Sequence, residues 1–217
     1  MTRPPATAAP AAVAFACAAL GLAALTAAVA VAHGAPLAVD TALHRAALAH
    51  RSGAVNTAAK VLTSTGTGAV PYLLTAVAGW IACRPHTAAW RRVPVVCAAL
   101  GVLLLGQLAR MAARDAVSRP RPAAADWVTQ ASGAAYPSGH SATSALVAGL
   151  LAWAVLRALP GSAGRAAAVC CGLWAAGVGA TRVYLGVHWP TDVAAGWLFA
   201  ACWLVPALLL LRRAADR

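Results

Sequence analysis

The sequence predicts an all-α integral membrane bundle of six spans, with short amphipathic surface helices between the first two. Three observations carry that reading. Of 217 residues, 61% are hydrophobic and 10% charged, against about 25% charged in an ordinary soluble domain. Apolar runs of bilayer-crossing length, about 20 residues each, recur along the chain. The arginines cluster at the ends of those runs, where topology and lipid headgroups explain them. The net charge of +12 comes without any glutamate, and this placement sets nucleic acid aside as the reason for it. Residues 1–217 read as one domain, with no internal repeat and no separate soluble part.

In chain order, residues 11–32 form an uninterrupted apolar run. Ala28-Val29-Ala30 resembles a small-residue cleavage site, but signal peptides carry apolar cores of about 7–15 residues, so a retained helix is expected. Between residues 33 and 68 the chain turns more polar. His44, Arg45, His50, Arg51 and Lys60 lie there among Ala, Leu and Val, as in one or two amphipathic helices on a membrane surface. His44 and His50 read as interfacial. The second span, 69–83, is short and follows a Gly/Thr break. The third is expected at 93–111, then a polar connection at 114–136. The fourth follows at 138–156, the fifth at 166–185 and the sixth at 191–211, before a basic tail.

The six cysteines lie in or beside apolar runs without a C-x-x-C pair, where Cys behaves as a small hydrophobe. The acids Asp40, Asp115, Asp126, Asp192 and Asp216 are scattered, whereas a two-metal hydrolase needs clustered oxygen ligands. No metal and no other cofactor is expected. With the N-terminus inside, the inner set is Arg3, Arg84, Arg91, Arg92, Arg157, Arg165, Arg212, Arg213 and Arg217. The outer set is Arg45, Arg51, Lys60, Arg110, Arg114, Arg119, Arg121 and Arg182. The bare count barely discriminates. It favours cytoplasmic termini once Arg114, Arg121 and Arg182 are assigned to a site.

Three polar clusters fall on one side of this layout: residues 114–122, Pro137 to His140, and 181–192. Arginine forks match tetrahedral oxyanions. Ser138 and Gly139 open a helix whose free N–H groups favour an anion. His140 and His188 can divide the work of nucleophile and proton donor. His188 and Asp192 stand four apart, one face of a helix. Arginines, a helix N-terminus and two histidines describe metal-free phosphoryl transfer.

Arg114-x6-Arg121-Pro122, Pro137-Ser138-Gly139-His140 and Thr181-Arg182-x5-His188-x3-Asp192 resemble the type 2 phosphatidic acid phosphatases, which share a site with vanadium haloperoxidases. The family pattern is K-x6-R-P, P-S-G-H and S-R-x5-H-x3-D. Arg114 stands in place of the usual Lys and Thr181 in place of Ser. The resemblance implies a lipid phosphatase taking its substrate from the bilayer, with its site on the extracytoplasmic face. It implies that His188 is the nucleophile, that Asp192 orients it, and that His140 is acid and then base. Arg114, Arg121, Arg182 and the Ser138–Gly139 segment are then phosphate-binding. Arg119 is read as accessory or as a headgroup contact, and Trp127 and Trp189 as interfacial. The family's substrates include polyprenyl diphosphates such as undecaprenyl diphosphate, phosphatidic acid and phosphatidylglycerol phosphate, and its motifs read only the phosphate. A lipid phosphotransferase and a non-catalytic binder or carrier of anionic lipids are the alternatives. Oligomeric state is left open.

Overall fold

The computed structural model describes residues 8–83 and 87–216, so Arg3, Arg84 and Arg217 of the orientation count lie outside the described residues. The helices are α1 (Ala8–Val31), α2 (Ala38–Ala49), α3 (Gly53–Ser64), α4 (Val70–Ile81), α5 (Ala89–Val117), α6 (Gly139–Ala158), α7 (Gly161–Tyr184) and α8 (Pro190–Ala215). One 3-10 turn (Ala124–Asp126) lies in the α5–α6 connection.

Helix α6 is the axis of the bundle, touched by α4, α5, α7 and α8. Its sequence explains this place. Ser141, Ala142, Thr143 and Ser144 are buried, and small residues let neighbouring backbones approach closely in membranes. Leu146, Val147, Leu150 and Trp153 continue apolar burial below them, meeting Leu103 of α5 and Leu204 of α8 in the main core. Helix α1 packs along α8 and reaches the site end of the bundle, where Thr26 Oγ1 and the Tyr136 hydroxyl are 2.7 Å apart.

Among the described residues five helices, α1, α5, α6, α7 and α8, are long and apolar enough to cross a membrane. The expected second span is α4, which has only 12 residues and so measures about 18 Å against a hydrocarbon core of about 30 Å. The sequence places the α2–α3 region on the membrane surface, but α3 leans into the bundle along α7. Ser52 N–H donates to the Tyr184 hydroxyl at its start, and Trp174 Nε1 donates to Thr65 Oγ1 at its end. The Gly/Thr break therefore lies level with the middle of α7. His44, expected at the interface, is 5% exposed. It is buried because its Nε2 pairs with Asp126 at 3.0 Å and its ring packs on Trp189.

Helix α5 continues past its expected end at residue 111, because Arg114-Asp115-Ala116-Val117 is compatible with helix. Ser118 stops it in the left-handed region, at φ 48°. Pro120 and Pro122 then keep the chain extended. At the far end of the bundle Arg157 fastens α4, α6 and α8, donating to the Ala82 carbonyl and the Asp216 carboxylate.

Candidate active site

Two carboxylates are fixed first by local rules. Asp40 and Asp192 are each the third residue of their helix, and each accepts the backbone N–H of the residue preceding that helix, Leu37 at 3.0 Å and Trp189 at 2.9 Å. That is the acidic half of a capping box, at the helix end where negative charge is favoured. Arg119, fully buried, then bridges them: Nη1 donates to Asp192 Oδ1 and Nη2 to Asp40 Oδ2, both at 2.7 Å. Thr191 completes the cluster, its N–H and hydroxyl donating to Asp40. Burial alone would raise the Asp40 carboxyl, but the bonds from Thr191 and Arg119 outweigh it and hold it below the usual range. Arg119 is thus a buried strut, not a headgroup contact.

Asp192 Oδ2 lies 3.4 Å from His188 Nδ1, longer than a good hydrogen bond and of the kind that tightens when substrate binds. His188 Nε2 lies 2.8 Å from Arg121 Nη1. A guanidinium can only donate, so Nε2 carries the lone pair and Nδ1 the proton that faces Asp192. Burial pushes His188 from its ordinary 6.5 down to about 4, against the upward pull of Asp192. The ring is therefore neutral near pH 7, with its lone pair held in one direction.

The surrounding loops are braced by Arg121, which also donates to the carbonyls of Ser132, Gly133 and Val187. Burial lowers its pKa. Gly186, at φ +80°, lets the loop before His188 pass under the 124–126 turn, since a Cβ there would run into the Asp126 carbonyl. Trp127 and Trp189, expected at the membrane interface, donate their indole N–H to the carbonyls of Pro122 and Pro120. They steady the arginine-bearing segment.

Ser138 caps α6, its hydroxyl accepting from the Ser141 N–H, and its own N–H donates to the Asp192 carbonyl at 3.0 Å. The first turn of α6, with Gly139 and His140, is thereby stitched to the first turn of α8. His140 is half-buried and within electrostatic reach of Arg182, His188, Arg121 and Arg110. Arg182, 3% exposed, is held by Thr63 of α3 at 3.0 Å, and its Nε is buried without a hydrogen-bond partner among the described residues. Arg114 lies further out, ion-paired with Asp115 at 2.7 Å. The Thr181 hydroxyl bonds back to the Val178 carbonyl, so the Thr-for-Ser departure leaves the site's polar groups alone.

The structure thus gathers His140, His188, Asp192, Arg121, Arg182, Ser138 and Gly139 at one end of the bundle, with Arg114 at the rim. Sequence reasoning missed Asp40, Thr63 and Arg110. Only Arg110 left a signal, as a permanent charge inside an apolar run.

Fold and site together define a multi-pass membrane protein with groups suited to an oxyanion at one end of its bundle. The chain belongs to the PAP2 superfamily, whose profile matches residues 94–216. It is 36% identical over 86 residues to phosphatidylglycerophosphatase B of Bacillus subtilis (strain 168), a match covering 39% of this chain and 42% of that protein's length. The fold is similar to the crystal structure of a transmembrane PAP2-type phosphatidylglycerolphosphate phosphatase from Bacillus subtilis. The TM-score is 0.72 at 25% identity, over 90% of this chain and 96% of that one. The Aquifex aeolicus LpxE structure shares the fold, with a TM-score of 0.61 at 20% identity over 80% of this chain and 96% of that one.

Proposed function

We propose that this protein is a metal-independent lipid phosphatase acting through a phosphohistidine on His188. The observation that carries the reading is the polarity of the His188 ring, with Nδ1 facing Asp192 at 3.4 Å and Nε2 against Arg121 at 2.8 Å. A neutral imidazole with Nδ1–H turned to a carboxylate is an activated nucleophile, and its Nε2 lone pair is freed for phosphorus when the incoming phosphoryl oxygens take the Arg121 donor. Nε2 attacks phosphorus in line, and the bond from phosphorus to the lipid oxygen breaks. Nδ1–H shares its proton with Asp192 as positive charge builds on the ring. His140 protonates the departing oxygen, then takes a proton from the water that releases phosphate. Arg182 and the N–H groups opening α6 hold the phosphoryl oxygens, Arg121 turns the Nη1 donor it gives His188 to the incoming phosphoryl group, and Arg114 stands at the entrance. Such fixed donors make up the electrostatic part of catalysis.

The substrate is a phosphomonoester or diphosphate of a membrane lipid. The relatives named above support phosphatidylglycerol phosphate as the first lipid to try, with phosphatidic acid and polyprenyl diphosphates beside it. We place the site on the extracytoplasmic face with cytoplasmic termini, a reading supported by the arginines at the opposite end of the bundle. The test is phosphate release from these lipids in detergent with no acceptor but water. Release by the wild type and none by His188→Ala is the expected result. Wild-type turnover by purified His188→Ala contradicts the mechanism.

A further inference from the structure

Arg110 has no place in the three motifs, yet the packing of α5 on α6 brings it to the phosphate end of the site. The two helices run antiparallel, and their contacts climb in register. A Cβ on Gly106 would meet Leu146, and Gln107 Nε2 donates to Thr143 Oγ1. One turn on, a Cβ on Gly139 would lie 3.4 Å from Arg110 Cζ and 3.5 Å from its Nη1. One turn further, Arg114 has passed the beginning of α6, and its Nη1 would lie 3.5 Å from a Cβ on Gly133 in the preceding loop. The guanidinium beside the first helical residue of α6 is therefore that of Arg110. Arg114, about 6 Å further along α5 at 1.5 Å per residue, is paired with Asp115.

Two further facts suit this arrangement to an anion. Arg110 Nε is buried with no hydrogen-bond partner among the described residues, a costly state for a donor. Arg110, Arg114 and Arg121 also lie within electrostatic reach of one another, and among the described residues only Asp115 contributes an opposing charge to Arg110. Gly139 has no side chain, which leaves the fork of Arg110 open to whatever the α6 N–H groups bind.

We infer that Arg110 is a phosphate-binding residue, occupying at the N-terminus of α6 the position that the motif spacing assigns to Arg114. The inference rests on the phosphatase reading. The fork takes one phosphoryl oxygen, or two side by side, while Arg121 and Arg182 hold the remainder, and Arg114 serves the entrance.

The test is the inhibition constant of inorganic phosphate, with kcat/KM for the lipid the wild type hydrolyses, in Arg110→Gln, Arg110→Lys and Arg114→Gln. A hydrogen bond to a charged group is worth roughly a 10- to 100-fold change. Arg110→Gln should weaken phosphate binding and kcat/KM by about that factor at unchanged melting temperature in detergent, Arg110→Lys by less, and Arg114→Gln by less than Arg110→Gln. A folded Arg110→Gln protein with wild-type phosphate inhibition overturns the inference, as does a larger loss in Arg114→Gln. If Arg110→Gln does not fold, Arg110→Lys decides: the charge without the fork must weaken phosphate inhibition, and wild-type inhibition overturns the inference. Absence of phosphate release by the wild type from every lipid would instead overturn the phosphatase reading.

Discussion

The functional half of His188 depends on a residue that no local pattern reveals. The i, i+4 pair of His188 and Asp192 is legible in the sequence because the spacing alone puts both on one face of a helix start. Asp40 is not, because its partner Thr191 is 151 residues away and the contact exists only once α2 folds over α8. Arg119 is intermediate: the sequence shows a charge near the motif, but not that it turns inward to bridge two acids. Removing one partner of a buried ion pair costs about 3–5 kcal/mol, since the other charge stays buried. Arg119→Met and Asp40→Ala should each lower stability by about that amount in denaturant unfolding, and a loss below about 1 kcal/mol would contradict the strut. The pH dependence follows from His188, which titrates at about 4 in the folded protein and ordinarily at 6.5. On the proposed mechanism the nucleophile is protonated as pH falls through about 4, so the acid limb of kcat/KM, which reports the free enzyme, should bend there. A bend at 6.5 would mean that Asp192 overrides burial. Between those values the unfolded chain holds a proton that the folded one lacks, so this residue makes stability rise with pH across the same window.

At the scale of elements, the long apolar runs gave their helices readily, since each is uniformly apolar and ended by Arg, Pro or Gly. The region from 38 to 64 reads as amphipathic surface helices, without the contacts that α2 and α3 make with the bundle. Its polar face meets the partners that the rest of the chain supplies, Arg119 for Asp40 and Arg182 for Thr63. Periodicity shows that a face is polar without showing what covers it. Helix α3 thereby becomes part of the site. Thr63→Val should leave the Arg182 guanidinium without its side-chain partner and lower kcat/KM by roughly tenfold, an effect absent from a substitution at exposed Val61. The loop before His188 carries a similar constraint. Gly186→Ala adds a Cβ at φ +80° against the Asp126 carbonyl and should cost about 1–3 kcal/mol, read as a lowered unfolding midpoint. The same reasoning shows why spacing pointed to Arg114: a motif counts residues, whereas the phase of α5 against α6 decides which arginine lies beside Gly139.

At the scale of the whole molecule, the three polar clusters meet because α5, α6, α7 and α8 alternate in direction, so that the end of α5, the start of α6, the end of α7 and the start of α8 share one end of the bundle. That much follows from counting spans. The place of α3 does not, since it depends on how α3 leans on α7. On the proposed mechanism the cations of the site take the part a metal plays elsewhere, so phosphate release should persist in excess chelator. A strict requirement for Mg²⁺ would contradict this assignment.

The most direct test of the central claim is to quench the enzyme in alkali during turnover of a lipid labelled in its terminal phosphate, and to locate the label by peptide mapping. The account predicts a phosphoryl group on His188 of the wild type, accumulating in His140→Ala as water attack slows, and none in His188→Ala. Label on another residue, or full turnover without any labelled histidine, would contradict it.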